Sequence, residues 1–206
     1  MGSNAKLRAR ALHKQGRIHA LDLGDGDPVA NAPADPDLLF TLDELAVLLK
    51  PLMGIHAPRD ESNRILEVRP KGHWFEFEAA KLLGYHYPPG AGLFPDIRHK
   101  LLEIKHHTGK SVTIDFGAHH PGSKVVIEAR WNEKTRVRVC DIRYLIALAP
   151  PPEFRISVLV LATGAEINTI FGVSPTKTIK YQMGISGKWR DQHAGQIIVS
   201  GRQFDE

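Results

Sequence analysis

Residues 92–107 read G-L-F-P-D-I-R-H-K-L-L-E-I-K-H-H, and this stretch determines how the rest of the chain is interpreted. Its second half alternates apolar and charged side chains, which predicts a half-buried β-strand. Successive side chains of a strand point to opposite faces, so Leu102 and Ile104 are expected to face the core. Glu103 and Lys105 would then lie side by side on the other face.

A second acid precedes the predicted strand. Pro95 fixes the backbone just before Asp96, and the glycines and prolines of segment 88–92 indicate a bend. A hairpin or a kinked strand at this point would bring the Asp96 carboxylate next to Glu103.

The sequence before this stretch predicts two helices. Thr41 and Glu44 have the spacing of a capping box, and leucines at helical intervals predict a first helix over 42–53. A short strand or turn is expected at 65–69, and P-K-G at 70–72 interrupts it. A second helix is then predicted over 74–85, because a glycine and a pair of prolines follow its apolar pattern.

The sequence after residue 100 is rich in β-branched residues. Strands are predicted at 101–105, 111–116, 124–131, 154–162, 178–183 and 196–200. Residues 165–171 are expected to form a short helix, whereas 136–149 fits either a long strand or a strand that runs into a helix. Helices followed by strands predict an α/β fold with a central mixed β-sheet flanked by helices.

Composition and charge restrict the class of protein. A chain of 206 residues with a formal net charge of +4 fits one globular domain that is mildly suited to a polyanionic partner. Residues 1–37 are expected to be a basic N-terminal arm and loose linker, or a poorly ordered leader, before a domain over 38–206. The single Cys140 excludes an internal disulfide and a cysteine-based zinc site. Without a membrane span or a secretion signal, a cytoplasmic location is expected.

The predicted pair of acids, Asp96 and Glu103, requires a compensating cation because clustered carboxylates repel each other. Carboxylate oxygens with open water positions suit Mg²⁺ or Mn²⁺ better than Zn²⁺. A lysine beside such an ion, here Lys105, can orient or deprotonate an attacking water. This set of groups is suited to hydrolysing a phosphodiester. The competing interpretation is an ordinary amphipathic strand with a solvated Glu–Lys pair.

The order Pro95-Asp96, six residues, Glu103-Ile104-Lys105 resembles the PD-(D/E)xK motif of a nuclease superfamily that includes most type II restriction endonucleases. The resemblance implies that Asp96, Glu103 and Lys105 are catalytic. It assigns metal binding to Asp96, Glu103 and Ile104.

The helix before the motif is similar to the helix that often supplies a further acid in these enzymes, which makes Glu76 the first choice and Glu78 the alternative. The resemblance covers roughly residues 65–170, at the level of motif and element order. It implies a restriction-endonuclease-like core and a Mg²⁺-dependent endodeoxyribonuclease, with Mn²⁺ as a possible substitute. The expected partner is double-stranded DNA, cut at a specific sequence by a homodimer, with no membrane involved.

Two other functions stay open at this point. One is a structure-specific repair or Holliday-junction nuclease of the same superfamily, which would recognise DNA shape. The other is a catalytically inactive DNA-binding protein on the same fold.

Basic residues around the motif and near the C-terminus predict DNA contacts, because lysine and arginine bind phosphates and arginine reads guanine edges. The predicted contacts are Arg98, Lys100, His107, Lys110, Arg130, Lys134, Arg136, Lys188 and Arg190. Segments 131–138 and 186–192 are predicted to be recognition loops. Each residue alone is typical of a solvated surface charge, and only the set favours nucleic-acid binding.

Overall fold

The computed structural model describes residues 39–85, 94–110, 112–132 and 135–204, and it gives only the backbone of 128–132 and 135. The predicted arm and linker over 1–37 lie outside the described residues, as do the predicted bend and Lys134. In the ranges that are described, no helix combines the length and apolar character needed to cross a membrane.

The first predicted helix is confirmed. Helix α1 spans Leu42–Leu49 and continues as a 3₁₀ turn over Lys50–Leu52. The capping box is formed as expected, since the Glu44 N–H donates to Thr41 Oγ1 at 3.1 Å and the Thr41 N–H donates to Glu44 Oε2 at 2.7 Å.

The second helix is longer than the sequence predicts. Helix α2 spans Val68–Leu82. The prediction of a strand or turn at 65–69 is therefore wrong for residues 68 and 69, which are helical. Pro70 does not interrupt the helix because it occupies the first turn, where backbone N–H groups have no partner within the helix. At the other end Gly84 has φ +90°, which suits glycine and stops the helix where predicted.

The predicted central mixed sheet is present and has five strands. These are β1 (Leu102–His107), β5 (Arg143–Leu148), β6 (Val158–Thr163), β9 (Gln196–Val199) and β10 (Arg202–Gln203), in the order β1-β5-β6-β9-β10. Strand β5 is parallel to β1 and antiparallel to β6, while β9 is parallel to β6 and antiparallel to β10. Strand β1, which carries the motif, therefore lies at one edge of this sheet.

Two smaller sheets complete the β-structure. Strands β2 (Val112–Asp115), β8 (Tyr181–Ile185) and β7 (Thr176–Lys177) form an antiparallel sheet in that order. Strands β3 (Val126–Asn132) and β4 (Thr135–Arg138) form an antiparallel ribbon with irregular register.

Segment 136–149 fits neither predicted alternative. It splits into the end of β4, a 3₁₀ turn over Val139–Asp141, and β5. The turn is closed by Asp141, whose carboxylate accepts from the Arg138 N–H at 3.0 Å and from the Arg138 guanidinium.

The C-terminal third contains two short helices. Helix α3 spans Ile167–Phe171, as predicted. Helix α4 spans Gly187–Gln192, so the recognition loop predicted at 186–192 is wrong. Ser186 starts this helix because its Oγ accepts from the Trp189 N–H at 3.1 Å.

The two faces of the central sheet are covered differently. On one face, α1 and α2 pack against side chains such as Leu102, Ile104 and Leu145. On the other face, the β2–β8 sheet and α3 pack against side chains such as Tyr144 and Ile146. The prediction of a sheet flanked by helices therefore holds fully for one face only.

Candidate active site

A tight hairpin positions Asp96 next to β1. Ile97 and Leu102 exchange both backbone hydrogen bonds, at 2.9 and 3.1 Å. Between them lie a 3₁₀ turn and Leu101, which has φ +52°. This closure places the Asp96 carboxylate beside the strand, where its Oδ2 accepts from the Ile104 N–H at 2.7 Å.

Glu103 completes the contact from the strand side. Its Oε2 accepts from the Asp96 N–H at 3.2 Å, and its Oε1 forms an ion pair with Lys105 Nζ. Glu103 is buried, and the Lys105 side chain is about a quarter exposed, at 25%. Asp96, Glu103 and Lys105 are thus brought together as the sequence predicts, on one edge of the sheet.

The ionisable groups of the site shift each other's pKa. Burial raises the pKa of Asp96 to about 8, helped by the negative charges of Glu103 and Glu76 and opposed by the Ile104 N–H and Lys105. Burial lowers the pKa of Lys105, but Glu103 and Asp96 outweigh burial and raise it above its ordinary value. Both shifts favour the protonated form, neutral for Asp96 and positively charged for Lys105, in the site without metal.

The two candidates for the accessory acid differ in their surroundings. Glu76, whose side chain is 21% exposed, accepts from His73 at 3.3 Å and contributes to the raised pKa of Asp96. Glu78 instead pairs with Lys81 at 2.8 Å on the surface of α2. The structure therefore brings Glu76, and not Glu78, into electrostatic contact with the site.

The main chain at Ile104 also faces the site. Because the N–H and C=O of one strand residue point to the same side, and the Ile104 N–H points to Asp96, its carbonyl oxygen points away from β5 toward the open edge. A backbone oxygen is therefore present at the same edge as the carboxylates of Asp96 and Glu103.

This donor set fits Mg²⁺ better than an ion that needs a full protein cage. Within residues 39–85, 94–110, 112–132 and 135–204, no three His, Cys, Asp or Glu side chains form a ready-made metal cluster. Mg²⁺ is commonly bound by one or two carboxylates and keeps several waters. Asp96, Glu103 and the Ile104 carbonyl would supply the protein ligands of such an ion.

A buried hydroxyl supports the presence of a polar ligand at this site. Tyr144 lies opposite Glu103 in the β1–β5 register, on the same face, and is 1% exposed. Its hydroxyl has no hydrogen-bond partner among the described residues, and burial, Glu103 and Asp96 raise its pKa. Buried hydroxyls normally have a partner, so a hydrated ion beside the acids would satisfy this one.

The sequence interpretation missed Tyr144 and Asp115. Asp115 ends β2, where its charge contributes to the raised pKa of Lys105 and its Oδ2 lies 3.3 Å from Lys180 Nζ. Neither residue belongs to a motif. Only the pairing of β1 with β5, and the return of the chain along β2, bring them to the site.

Several predicted DNA contacts lie on the surface. Lys110 is exposed in the β1–β2 turn, and its carbonyl accepts from Arg190 Nη1 of α4 at 3.0 Å. Lys188 on α4 and Arg136 on β4 are exposed, while Arg98 is half-buried in the turn after Asp96.

Two other predicted DNA contacts are corrected. Lys100 is fully buried with Nζ 4.4 Å from the centre of the Phe40 ring, so it cannot reach a duplex and its assignment to DNA binding is wrong. His107 has its Nε2 buried without a hydrogen-bond partner in the described part of the chain. Burial, aided by Lys105, lowers the pKa of His107 to about 4, so its ring is neutral and poorly placed for phosphate binding. The Arg130 side chain and Lys134 lie outside what is described.

Comparisons of the chain with protein-family models, with curated proteins and with solved structures gave no significant match. Functional conclusions therefore rest on the arrangement of the side chains.

Proposed function

We propose that this chain is a Mg²⁺-dependent endodeoxyribonuclease of the PD-(D/E)xK type, built on a restriction-endonuclease-like core. The observation that carries the proposal is the contact set of Asp96, Glu103, Ile104 and Lys105 at the edge of the central sheet. Two acids, a main-chain oxygen and a lysine converge there although they come from two segments of the chain.

Each residue has a defined role in this proposal. The carboxylates of Asp96 and Glu103, with the carbonyl oxygen of Ile104, would hold Mg²⁺, with Mn²⁺ as a substitute. The ion supplies Lewis acidity and lowers the pKa of a bound water. Lys105 carries a positive charge next to Glu103, so it can orient the water and offset negative charge on the phosphate. Glu76 increases the negative potential that attracts the cation.

The partner in this proposal is double-stranded DNA. Phosphates would contact exposed basic side chains, among them Lys110, Arg136 and Lys188, and the net charge of +4 favours association with a polyanion. Two copies of the active site would allow both strands to be cut in one encounter, which is the reason for proposing a homodimer. Action at a specific sequence is proposed from the resemblance to type II restriction endonucleases.

Cleavage of phage DNA with Mg²⁺ tests the proposal. Asp96→Ala and Lys105→Ala should abolish cleavage, whereas Glu78→Gln, on the same helix as Glu76 but paired with Lys81, should cut like the wild type. Discrete bands support a type II restriction enzyme, and a smear supports a nonspecific nuclease.

If linear duplexes survive, a branched junction is the decisive substrate, because a structure-specific nuclease shares the catalytic residues. Cleavage that persists in both alanine variants contradicts the site assignment. Duplex binding without cleavage of either substrate would instead support an inactive DNA-binding protein.

A further inference from the structure

The hairpin formed by β7 and β8 ends in an unusually exposed apolar side chain. Lys177 pairs with Tyr181 in the ladder, and Thr178, Ile179 and Lys180 form the turn between the strands. Ile179 is 93% exposed, the highest value among the large apolar side chains that the structure describes. Isolated exposed apolar residues are common, so the surroundings of Ile179 decide its significance.

Backbone hydrogen bonds define the tip and its base. The Thr178 N–H donates to the Lys180 carbonyl at 3.2 Å, which closes the turn. At its base, the Tyr181 N–H donates to the Gly117 carbonyl at 2.9 Å and the Phe116 N–H donates to the Tyr181 carbonyl at 2.8 Å. These hydrogen bonds define the backbone of the turn, which reduces the conformational entropy lost when the tip binds a partner.

The tip contacts β2, whose last residue is within electrostatic range of the candidate active site. Lys180 Nζ is 3.3 Å from Asp115 Oδ2, and the charge of Asp115 contributes to the raised pKa of Lys105. Asp115 also pairs with Gln182 in the β2–β8 register. One hairpin thus connects the tip to the strand that follows the proposed catalytic lysine.

The chemistry of the tip matches one class of partner. Lys177 and Lys180 are exposed on both sides of Ile179. Lys177 Nζ lies 5.5 Å from the centre of the Tyr181 ring and Lys180 is paired with Asp115, so a phosphate would compete with Asp115 for Lys180 and find Lys177 beside the apolar tip. A nucleic-acid duplex combines an anionic backbone with apolar base faces, and an isoleucine can enter between base pairs from the minor groove. A membrane surface presents similar charges, but the nearby acid site favours the nucleic acid.

We propose that Ile179 is a wedge that enters the minor groove and partly unstacks a base step near the bond to be cut, while Lys177 and Lys180 contact the flanking phosphates. This inference rests on the proposed function, because it takes duplex DNA as the substrate. The wedge would bend or unwind the duplex toward the acids of β1, at a cost of a few kcal/mol for unstacking.

Plasmid unwinding tests the wedge without knowledge of the recognition sequence. A closed circular plasmid is relaxed by a metal-independent topoisomerase in EDTA and low salt, with wild type, Ile179→Ala or Val68→Ala at matched DNA occupancy. Val68 is a suitable control because it is 80% exposed but lies at the start of α2. Unstacking lowers the linking number, so wild type and Val68→Ala should shift the topoisomers, and Ile179→Ala should shift them by about half or less.

The outcomes separate the wedge from the nuclease. An equal shift with Ile179→Ala and wild type overturns the wedge and leaves the nuclease proposal intact. A shift that depends on Ile179, in a protein that never cuts DNA, supports the wedge and contradicts the nuclease. Failure to bind duplex DNA at low salt overturns both.

Two further measurements assign Ile179 to another partner if the wedge fails. Loss of binding to phosphatidylserine-containing vesicles, with unwinding unchanged, identifies a membrane contact. A change in sedimenting mass identifies a contact between two copies of the chain. Equal melting temperatures for the two alanine variants and the wild type exclude a folding defect.

Discussion

Replacing Asp96 by asparagine tests the electrostatics of the acid site without any substrate. Asparagine can still accept from the Ile104 N–H, as the Asp96 Oδ2 does at 2.7 Å, and it can add a donor toward Glu103. The change therefore removes the charge while the size and the main hydrogen bond are kept.

The sign of the effect follows from the raised pKa of Asp96. Its pKa moves from 3.8 to about 8 through burial, Glu103 and Glu76, so between these values the folded protein binds a proton that the unfolded chain releases. Stability without metal therefore falls as pH rises from about 4 to about 8. Each pKa unit is worth about 1.4 kcal/mol, which gives an upper limit of about 5–6 kcal/mol.

We expect Asp96→Asn to be more stable than wild type by about 2 kcal/mol or more at pH 8 in EDTA, and equal to it near pH 4. Urea unfolding at several pH values measures the difference. Mg²⁺ at about 100 times its dissociation constant should stabilise wild type by about 2.7 kcal/mol and the variant by much less.

Asp141→Asn is the matched control with the opposite sign. Burial opposes ionisation of Asp141, but hydrogen bonds from Arg138 outweigh it and lower the pKa of the carboxyl. This variant should therefore lose stability at neutral pH. If Asp96→Asn is less stable than wild type at pH 8 in EDTA, the carboxylates are not packed as described and the electrostatic reasoning is refuted.

Three other predictions concern neighbouring groups. Glu76→Gln should raise the Mg²⁺ concentration needed for half-maximal cleavage by roughly 10-fold, while Glu78→Gln should leave it unchanged in a metal titration. Tyr144→Phe should stabilise the metal-free protein by about 1 kcal/mol in urea unfolding, because it removes a buried hydroxyl without a partner; a loss of stability would reveal a partner. Lys188→Ala should reduce the salt slope of DNA binding by about 1, whereas Lys100→Ala should lower the melting temperature and leave that slope unchanged.

Local sequence patterns predicted the parts of the fold that depend on local physics. The capping box at Thr41, the glycine stop at Gly84 and the alternation of 101–105 each concern residues within one turn or one strand. The approach of Asp96 to Glu103 was also predictable, because only seven positions separate them, but the turn that brings them together follows Asp96, over 98–101, and was not predicted. Pro70 misled the prediction because the effect of a proline depends on its position within a helix.

Features set by pairing between distant segments could not be read from the sequence. Tyr144 faces Glu103 only because β1 and β5 are parallel in one register, and a shift by one residue would turn the tyrosine to the helical face. Lys100 has the composition of a surface residue, yet the hairpin turns it inward onto Phe40. Charge alone does not distinguish a buried lysine from a DNA contact.

The metal-free site is already compensated, and this constrains how a cation could bind. Glu103 is neutralised by Lys105, and Asp96 by a proton, so the acids can lie together without an ion. A divalent cation beside the acids would compensate the charges of both Asp96 and Glu103, and Asp96 would release its proton. Lys105 would then keep its charge but lose its exclusive hold on Glu103, which leaves its ammonium group available to a phosphate. In the proposed nuclease, the Glu103–Lys105 pair would therefore hold the lysine in position until the cation and the substrate bind.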